Sequence, residues 1–289
     1  MAASIELRAV DAAAGKNVKG QMAKLRLYLL VSLIASWTIW LWPFHKPGSF
    51  YLILFGIQFG FPFERTKLVF GICVPGLLAL AWTLAQGEHS LRLLLSTLIK
   101  FRAPTVLYFI ATTLPWVLSW TCLGLVLLYF PSSHPRPSPA HFLLNLVLLL
   151  PFGPLWEEIA WRGFVLRTLQ SHYAPLMSGI IVGCYWAVWH IPLWLTTLGL
   201  TSKTATPVLV SGLTSVVAWS IIFTYLYNRA GQSLPVVILL HASYDSANDA
   251  IFTAVQAGQL QYIGLTALLS ACLALALASR MRKANDPGR

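Results

Sequence analysis

Charge is what this sequence has least of. Only 10% of its 289 residues are Asp, Glu, Lys or Arg, where a soluble domain carries about 25%. Nine acids in all exclude a soluble globular chain. Several chemical signatures are missing too. None of the four cysteines, Cys73, Cys122, Cys184 and Cys272, forms a C-x-x-C pair, which argues against a thiolate zinc site or a disulfide framework. All four lie in apolar runs and read as small core residues. There is no H-E-x-x-H, so no zincin helix. There is no G-x-S-x-G, and no cysteine stands beside the histidines discussed below, so no covalent nucleophile is indicated. No basic patch is interleaved with exposed aromatics, so the net charge of +11 does not point to nucleic acid. No small-residue cleavage site follows the first apolar run, which reads as an uncleaved anchor.

What is abundant is hydrocarbon. Hydrophobic residues make up 57% of the chain and the mean hydropathy is +0.69, the composition of a polytopic membrane protein. Eight apolar segments are long enough to span a bilayer at 1.5 Å per residue: Leu25–Trp42, Leu68–Ala85, Thr105–Phe130, Phe142–Leu169, Leu176–Leu195, Pro207–Tyr227, Leu234–Ala254 and Gln259–Ser279. The expected fold is therefore all-α, with about eight transmembrane helices and an active site inside the bundle. Residues 1–24 read as an N-terminal tail, 25–279 as one membrane domain with a catalytic core near 140–252, and 280–289 as a C-terminal tail. Phe50–Phe63 is apolar but short and broken by Gly56, Gly60 and Pro62, and reads as interfacial or re-entrant. Ser90–Arg102 alternates Leu with Arg and Lys and reads as an amphipathic surface helix. With eight spans, 15 of the 20 Lys and Arg residues, Arg162 and Arg167 among them, fall on the side of the termini. That bias predicts cytoplasmic termini, in a cell membrane rather than an endoplasmic reticulum membrane.

Against this background a few ionisable residues stand out. A charge at the centre of a bilayer costs at least about 2.5–3.5 kcal/mol on insertion scales and is usually retained for function. Glu157, Glu158 and Arg162 follow the apolar run that ends at Trp156, just after Pro151, Gly153 and Pro154. Prolines there bend the helix and free backbone carbonyls, which a membrane tolerates only against protein or water. Glu158 and Arg162 are i,i+4 and can pair, leaving Glu157 without a local cation and available as a general base. The next span carries Trp186 and His190 on one face, with Pro192 just beyond. The seventh carries His241, Asp245, Asn248 and Asp249 at i, i+4, i+7 and i+8, one polar stripe that must face protein or water. His241 and Asp245 can hydrogen-bond, fixing the imidazole tautomer; Asp249 reads as interfacial, and Asn248 has no assigned role. A glutamate, two histidines and a carboxylate on three spans can converge on one water. Metallohydrolases use a similar set.

The three motifs, Glu157-Glu158-x-x-x-Arg162, Trp186-x-x-x-His190 and His241-x-x-x-Asp245, with Gly163 after the arginine, resemble those of the CPBP intramembrane protease family. That family includes type II CAAX prenyl endopeptidases and bacterial relatives linked to bacteriocin processing and self-immunity. The resemblance covers Pro151–Ala247. It implies an intramembrane endopeptidase acting on a membrane-associated or lipidated peptide. Glu157 would activate water with help from His190, and His241 and Asp245 would stabilise the oxyanion or hold a metal. Glu158 and Arg162 would brace the site. Two chemistries stay open: Zn2+ held by His190, His241 and Asp245, or a metal-free water activated by Glu157. Two positions depart from the pattern. Trp186 stands where phenylalanine is common, and Asp245, where asparagine is frequent, adds a charge that favours a metal. Trp156, Trp161, Trp186 and Trp189 are candidates to line the cavity. The alternatives are a catalytically silent immunity or scaffold protein and a proton-coupled transporter. The transporter reading lacks the internal inverted repeats that would support it.

Overall fold

The computed structural model describes residues 2–42, 49–54, 57–130, 139–197, 204–252, 255 and 258–283. Of the positions named above, Gly56 and Ala254 lie outside the described residues; so, among the 20 Lys and Arg residues counted for topology, do Lys46, Arg136, Lys203 and Arg289 and the side chains of Arg8, Lys16, Arg65, Arg282 and Lys283. The elements run α1 (Ala2–Leu41), β1 (Ser49–Leu54), β2 (Ile57–Pro62), α2 (Phe63–Ala85), α3 (Glu88–Leu98), α4 (Thr105–Tyr129) and α5 (Pro139–Leu149). They continue with α6 (Pro154–Gln170), α7 (Pro175–Thr197), α8 (Ala205–Arg229), α9 (Leu234–Phe252) and α10 (Gln259–Lys283).

This is an all-α membrane protein with one small β element among the described residues. The polar N-terminal stretch is helical and continuous with the first span. The segment expected to be interfacial or re-entrant pairs as an antiparallel hairpin, Ser49 opposite Pro62 and Leu54 opposite Ile57. Its aromatic and β-branched residues favour a strand. Among the described residues six helices are long and apolar enough to cross a membrane, seven if α5 and α6 form one bent span. Helix α9 is the seventh of the expected spans, and its polar stripe keeps it below that apolarity. Exposed Leu30, Ile34, Phe70, Phe109, Val117 and Leu275 give the bundle an apolar exterior suited to lipid. Cys184 and Cys272 are exposed as well, so the expectation that all four cysteines are core residues fails for these two. Their small apolar side chains are as compatible with lipid as with the core. Helix α3 buries Leu94 and Thr97 and leaves Leu93 and Leu95 outward. It follows α2 through Gly87, whose φ of +117° suits glycine, and it ends at Leu98, before the basic residues expected to extend it.

Two of the backbone breaks are answered by a neighbouring side chain. Pro75, inside α2, has no N–H to offer the carbonyl of Gly71, and the Ser36 hydroxyl donates to that carbonyl at 2.9 Å. Helices α5 and α6 meet at 51° around the predicted Pro151–Pro154 break. There the Trp156 indole donates to the Pro151 carbonyl at 2.9 Å, and the Leu155 amide donates to the Leu150 carbonyl at 3.1 Å. Helices α7 and α8 close on a small-residue seam. A Cβ on Gly183 would lie 2.9 Å from the Val217 Cα, and one on Gly179 would lie 2.8 Å from the Thr224 hydroxyl. The Ser220 hydroxyl donates to the Gly179 carbonyl at 2.8 Å. This is the small-xxx-small packing of membrane helices. The Ser233 hydroxyl donates to the Lys100 carbonyl at 2.6 Å, tying the start of α9 to the residues after α3.

The seam gives a direct test. Gly183→Leu should lower the thermal unfolding midpoint by the equivalent of about 1–3 kcal/mol, the usual range for overpacking. Gly264→Ala, where a Cβ meets open space, should leave the midpoint unchanged.

Candidate active site

The site begins where the bent span resumes. Immediately after Glu157 and Glu158 the helix widens into π geometry over Ile159–Leu166, a form often found at functional sites. Two i,i+4 pairs run side by side through it. The Trp161 indole donates to Glu157 Oε2 at 3.3 Å, and Arg162 donates to Glu158 Oε1 at 3.0 Å. The second pair is the one expected from spacing. Arg162, counted among the loop cations in the topology argument, is in fact 0% exposed; the excess of cations on that side survives its removal.

Glu158 is also 0% exposed. Its Oε1 accepts a second bond from His241 Nδ1–H at 2.9 Å, so one carboxylate oxygen joins α6 to α9. The remaining guanidinium nitrogens of Arg162, Nε and Nη2, have no hydrogen-bond partner. The guanidinium carbon stands 4.7 Å from the Trp186 ring centroid and 4.3 Å from that of Phe223. Aromatic faces thus supply the attraction that water would otherwise give a cation. His241 is 3% exposed, and its Nε2 lies 3.6 Å from Asp245 Oδ2. That is within ion-pair range but too long for the hydrogen bond the sequence suggested. The tautomer is set by Glu158 instead.

Glu157 is 5% exposed and is held differently. Its Oε2 takes the Trp186 indole N–H at 2.7 Å besides that of Trp161, while Oε1 meets no donor among the described residues. Trp186 is the hub of the arrangement. Its ring centroid is 5.6 Å from His190 and 5.2 Å from His241, so both imidazoles flank the ring that holds Glu157. His190 Nδ1–H donates to the Trp186 carbonyl at 2.9 Å, which leaves Nε2 with a free lone pair. The imidazole stacks on Trp194 with an interplanar angle of 14°.

A cavity of about 340 Å³ lies beside this cluster. His190, Trp194, Tyr244, Asp245, Asn248 and Asp249 are among the residues lining it; Glu157, Glu158 and His241 lie outside its wall. Of the four tryptophans proposed as lining, none contributes. Trp161, Trp186 and Trp189 are core residues, and Trp194, which the sequence reading passed over, takes that place. The other polar residues of the α9 stripe are structural ties. Asn248 donates to the Tyr244 carbonyl at 2.8 Å and accepts from the Tyr262 hydroxyl at 3.1 Å. Asp249 accepts from Asn145 Nδ2 at 2.7 Å, linking α9 to α5. Among the described residues no three of His, Cys, Asp and Glu are grouped closely enough to hold a metal ion. His190 and His241 each donate Nδ1–H to a neighbouring oxygen, which is how metal-binding imidazoles are commonly held; it is the spacing of His190, His241 and Asp245 that does not gather them around one ion.

A buried glutamate pair on a bent span, faced by histidines from two further spans, forms the polar centre of this helical membrane protein. That centre lies within the stretch that the comparisons match. Residues 139–247 match the family described as Type II CAAX prenyl endopeptidase Rce1-like, and this stretch holds all six residues singled out above. A curated protein of Methanococcus maripaludis, "CAAX prenyl protease 2", is 25% identical over 132 residues, which are 45% of this chain and 48% of that protein. The chain thus spans about half the length of the curated relative it matches. Over residues 139–247 this chain is similar to that family.

Removing a single member of the buried ion cluster should be severe. Arg162→Met strands Glu158 and His241 without their cation and should cost about 3–5 kcal/mol, as for other broken buried pairs, seen as a large drop in the thermal midpoint. The same replacement at Arg92, whose bond to Glu88 is exposed, should hardly move it.

Proposed function

We propose that this chain is an intramembrane endopeptidase that hydrolyses a peptide bond in a membrane-associated, CAAX-type peptide. The observation that supports this most directly is the asymmetry of Glu157. One carboxylate oxygen is fixed by two indole N–H groups, and the other is left for a water. In this reading Glu157 takes a proton from that water, and the hydroxide adds to the scissile carbonyl. His190, with its free Nε2, orients the water. His241 and Asp245 stand on the oxyanion side, and the proton held by Glu157 passes to the departing amine. One water is consumed, one carboxylate and one amine are formed. Glu158 and Arg162 act indirectly, by holding His241 and Trp186 where the chemistry needs them.

The substrate class rests on the matched family and on the name of the archaeal relative, and the cavity beside His190 and Asp245 is the proposed seat of the peptide. No step of this reading is routed through zinc, since His190, His241 and Asp245 are not grouped around one ion position among the described residues. In this reading the termini are cytoplasmic, which the cation bias supports, and the host is the cell membrane.

The test uses the full chain in lipid nanodiscs and a prenylated CAAX peptide. Glu157→Ala should lose about 10²-fold or more of the cleavage rate, the usual worth of a general base, with its thermal midpoint near that of the parent. Cleavage at the parent rate by that variant would remove the proposed base. Activity should also survive a strong chelator. Stoichiometric zinc whose removal abolishes cleavage would show instead that the metal-free route is wrong.

A further inference from the structure

A second, larger cavity lies away from the glutamates. Its volume is about 430 Å³, and its wall is drawn from α1, α2, α3, α6 and the residue after α6. Lys24 and Gln21 enter from the polar end of the α1 span, Gln86 follows the last residue of α2, and Arg167 and Ser171 come from the end of α6. Three span termini therefore meet there, with the amphipathic α3 alongside, which locates the cavity at one membrane surface. The wall contains two cations, two carboxamides and several hydroxyls but no carboxylate. Neither Lys24 nor Arg167 is paired with a carboxylate among the described residues, and Glu88, close by in sequence, is engaged with Arg92 at 3.1 Å. Leu25, Trp82, Leu94 and Phe164 supply an apolar side.

We propose that this cavity binds a phosphate group, carried by the headgroup of an anionic phospholipid. Lys24 and Gln21 from α1, Gln86 after α2 and Arg167 from α6 bring charged and neutral donors to one wall, the combination that phosphate oxygens take, while the hydroxyls of Thr83, Thr168 and Ser171 already donate to backbone carbonyls. The apolar wall beside them suits the glycerol and the first methylenes of an acyl chain. A zwitterionic headgroup brings its own cation into a wall that is already positive, so the site should discriminate against it. The position at a membrane surface favours a lipid over a soluble anion. A bound lipid would join α1, α2, α3 and α6 at the end of the helix that carries Glu157, without touching the reacting groups.

The experiment follows the thermal midpoint of the full chain in a neutral detergent, titrated with short-chain phosphatidylglycerol, short-chain phosphatidylcholine or inorganic phosphate. Phosphatidylglycerol should raise the midpoint saturably and less so at high salt, with phosphatidylcholine much weaker. The double variant Lys24→Gln with Arg167→Gln should bind phosphatidylglycerol about tenfold or more weakly, the scale of losing one charge-assisted hydrogen bond. Ser171→Asp, which adds a carboxylate at an exposed position of the wall and should fold normally, should weaken binding similarly. Arg92→Gln, outside the wall, should not. Equal stabilisation by the two lipids, or undiminished binding in both wall variants, would overturn the site. Inorganic phosphate acting as well as phosphatidylglycerol would overturn the lipid as its source.

Discussion

The carboxylate of Glu158 is buried completely, and much of the molecule is arranged around that fact. A carboxylate taken out of water loses a hydration energy that only close partners restore, and inside a bilayer the loss is greatest. Here one oxygen takes bonds from Arg162 and His241, and Arg162 in turn lies against the faces of Trp186 and Phe223. These contacts draw on α6, α7, α8 and α9. The helices that compose the polar centre are therefore held in register by the same charges that make the centre expensive to form. An apolar substitute of similar volume could pack as well, so the retention of charge points toward chemistry rather than stability.

The surrounding bundle protects this arrangement by leaving few unpaired backbone groups. Ser36 answers the carbonyl freed by Pro75, and Trp156 answers that of Pro151. The glycine seam sets α7 hard against α8, which fixes Trp186 relative to Phe223 and so clamps the guanidinium between them. Tyr185 reinforces this from the other side, donating to the Leu29 carbonyl of α1 at 2.8 Å. Rigid packing outside and a polar pair inside are two expressions of one requirement, that nothing hydrophilic be left facing lipid.

What the sequence made legible followed from periodicity along single helices. The Glu158–Arg162 pair, the break at Pro151–Pro154, the shared stripe on α9 and the amphipathic α3 are all properties of one segment and its spacing. Contacts between segments were harder. Nothing in the spacing of Trp186 says that its indole reaches Glu157, or that Glu158 outcompetes Asp245 as the hydrogen-bond partner of His241, because helix rotation and depth are set by tertiary packing. Some signals were present but went unread. Trp161 is i,i+4 from Glu157, and Gly179 and Gly183 form a small-xxx-small pair. The hairpin was missed because glycines at Gly56 and Gly60 and proline at Pro62 in a short apolar run read first as breakers. The seventh span was countable from sequence, yet its stripe of polar residues takes α9 below the apolarity of an ordinary span.

The half-length of α5 has an electrical consequence. Its 11 residues rise about 16 Å at 1.5 Å each, roughly half of a hydrocarbon core about 30 Å thick, so the bend and the glutamates after it fall part-way across the insulating layer. A unit charge carried over the whole layer does work of about 2.3 kcal/mol for each 100 mV of membrane voltage, and one arriving at this depth feels a fraction of it. On the role proposed for Glu157, each proton that reaches or leaves it would travel through part of the field. The proposed chemistry would then keep pace with how strongly its host membrane is energised.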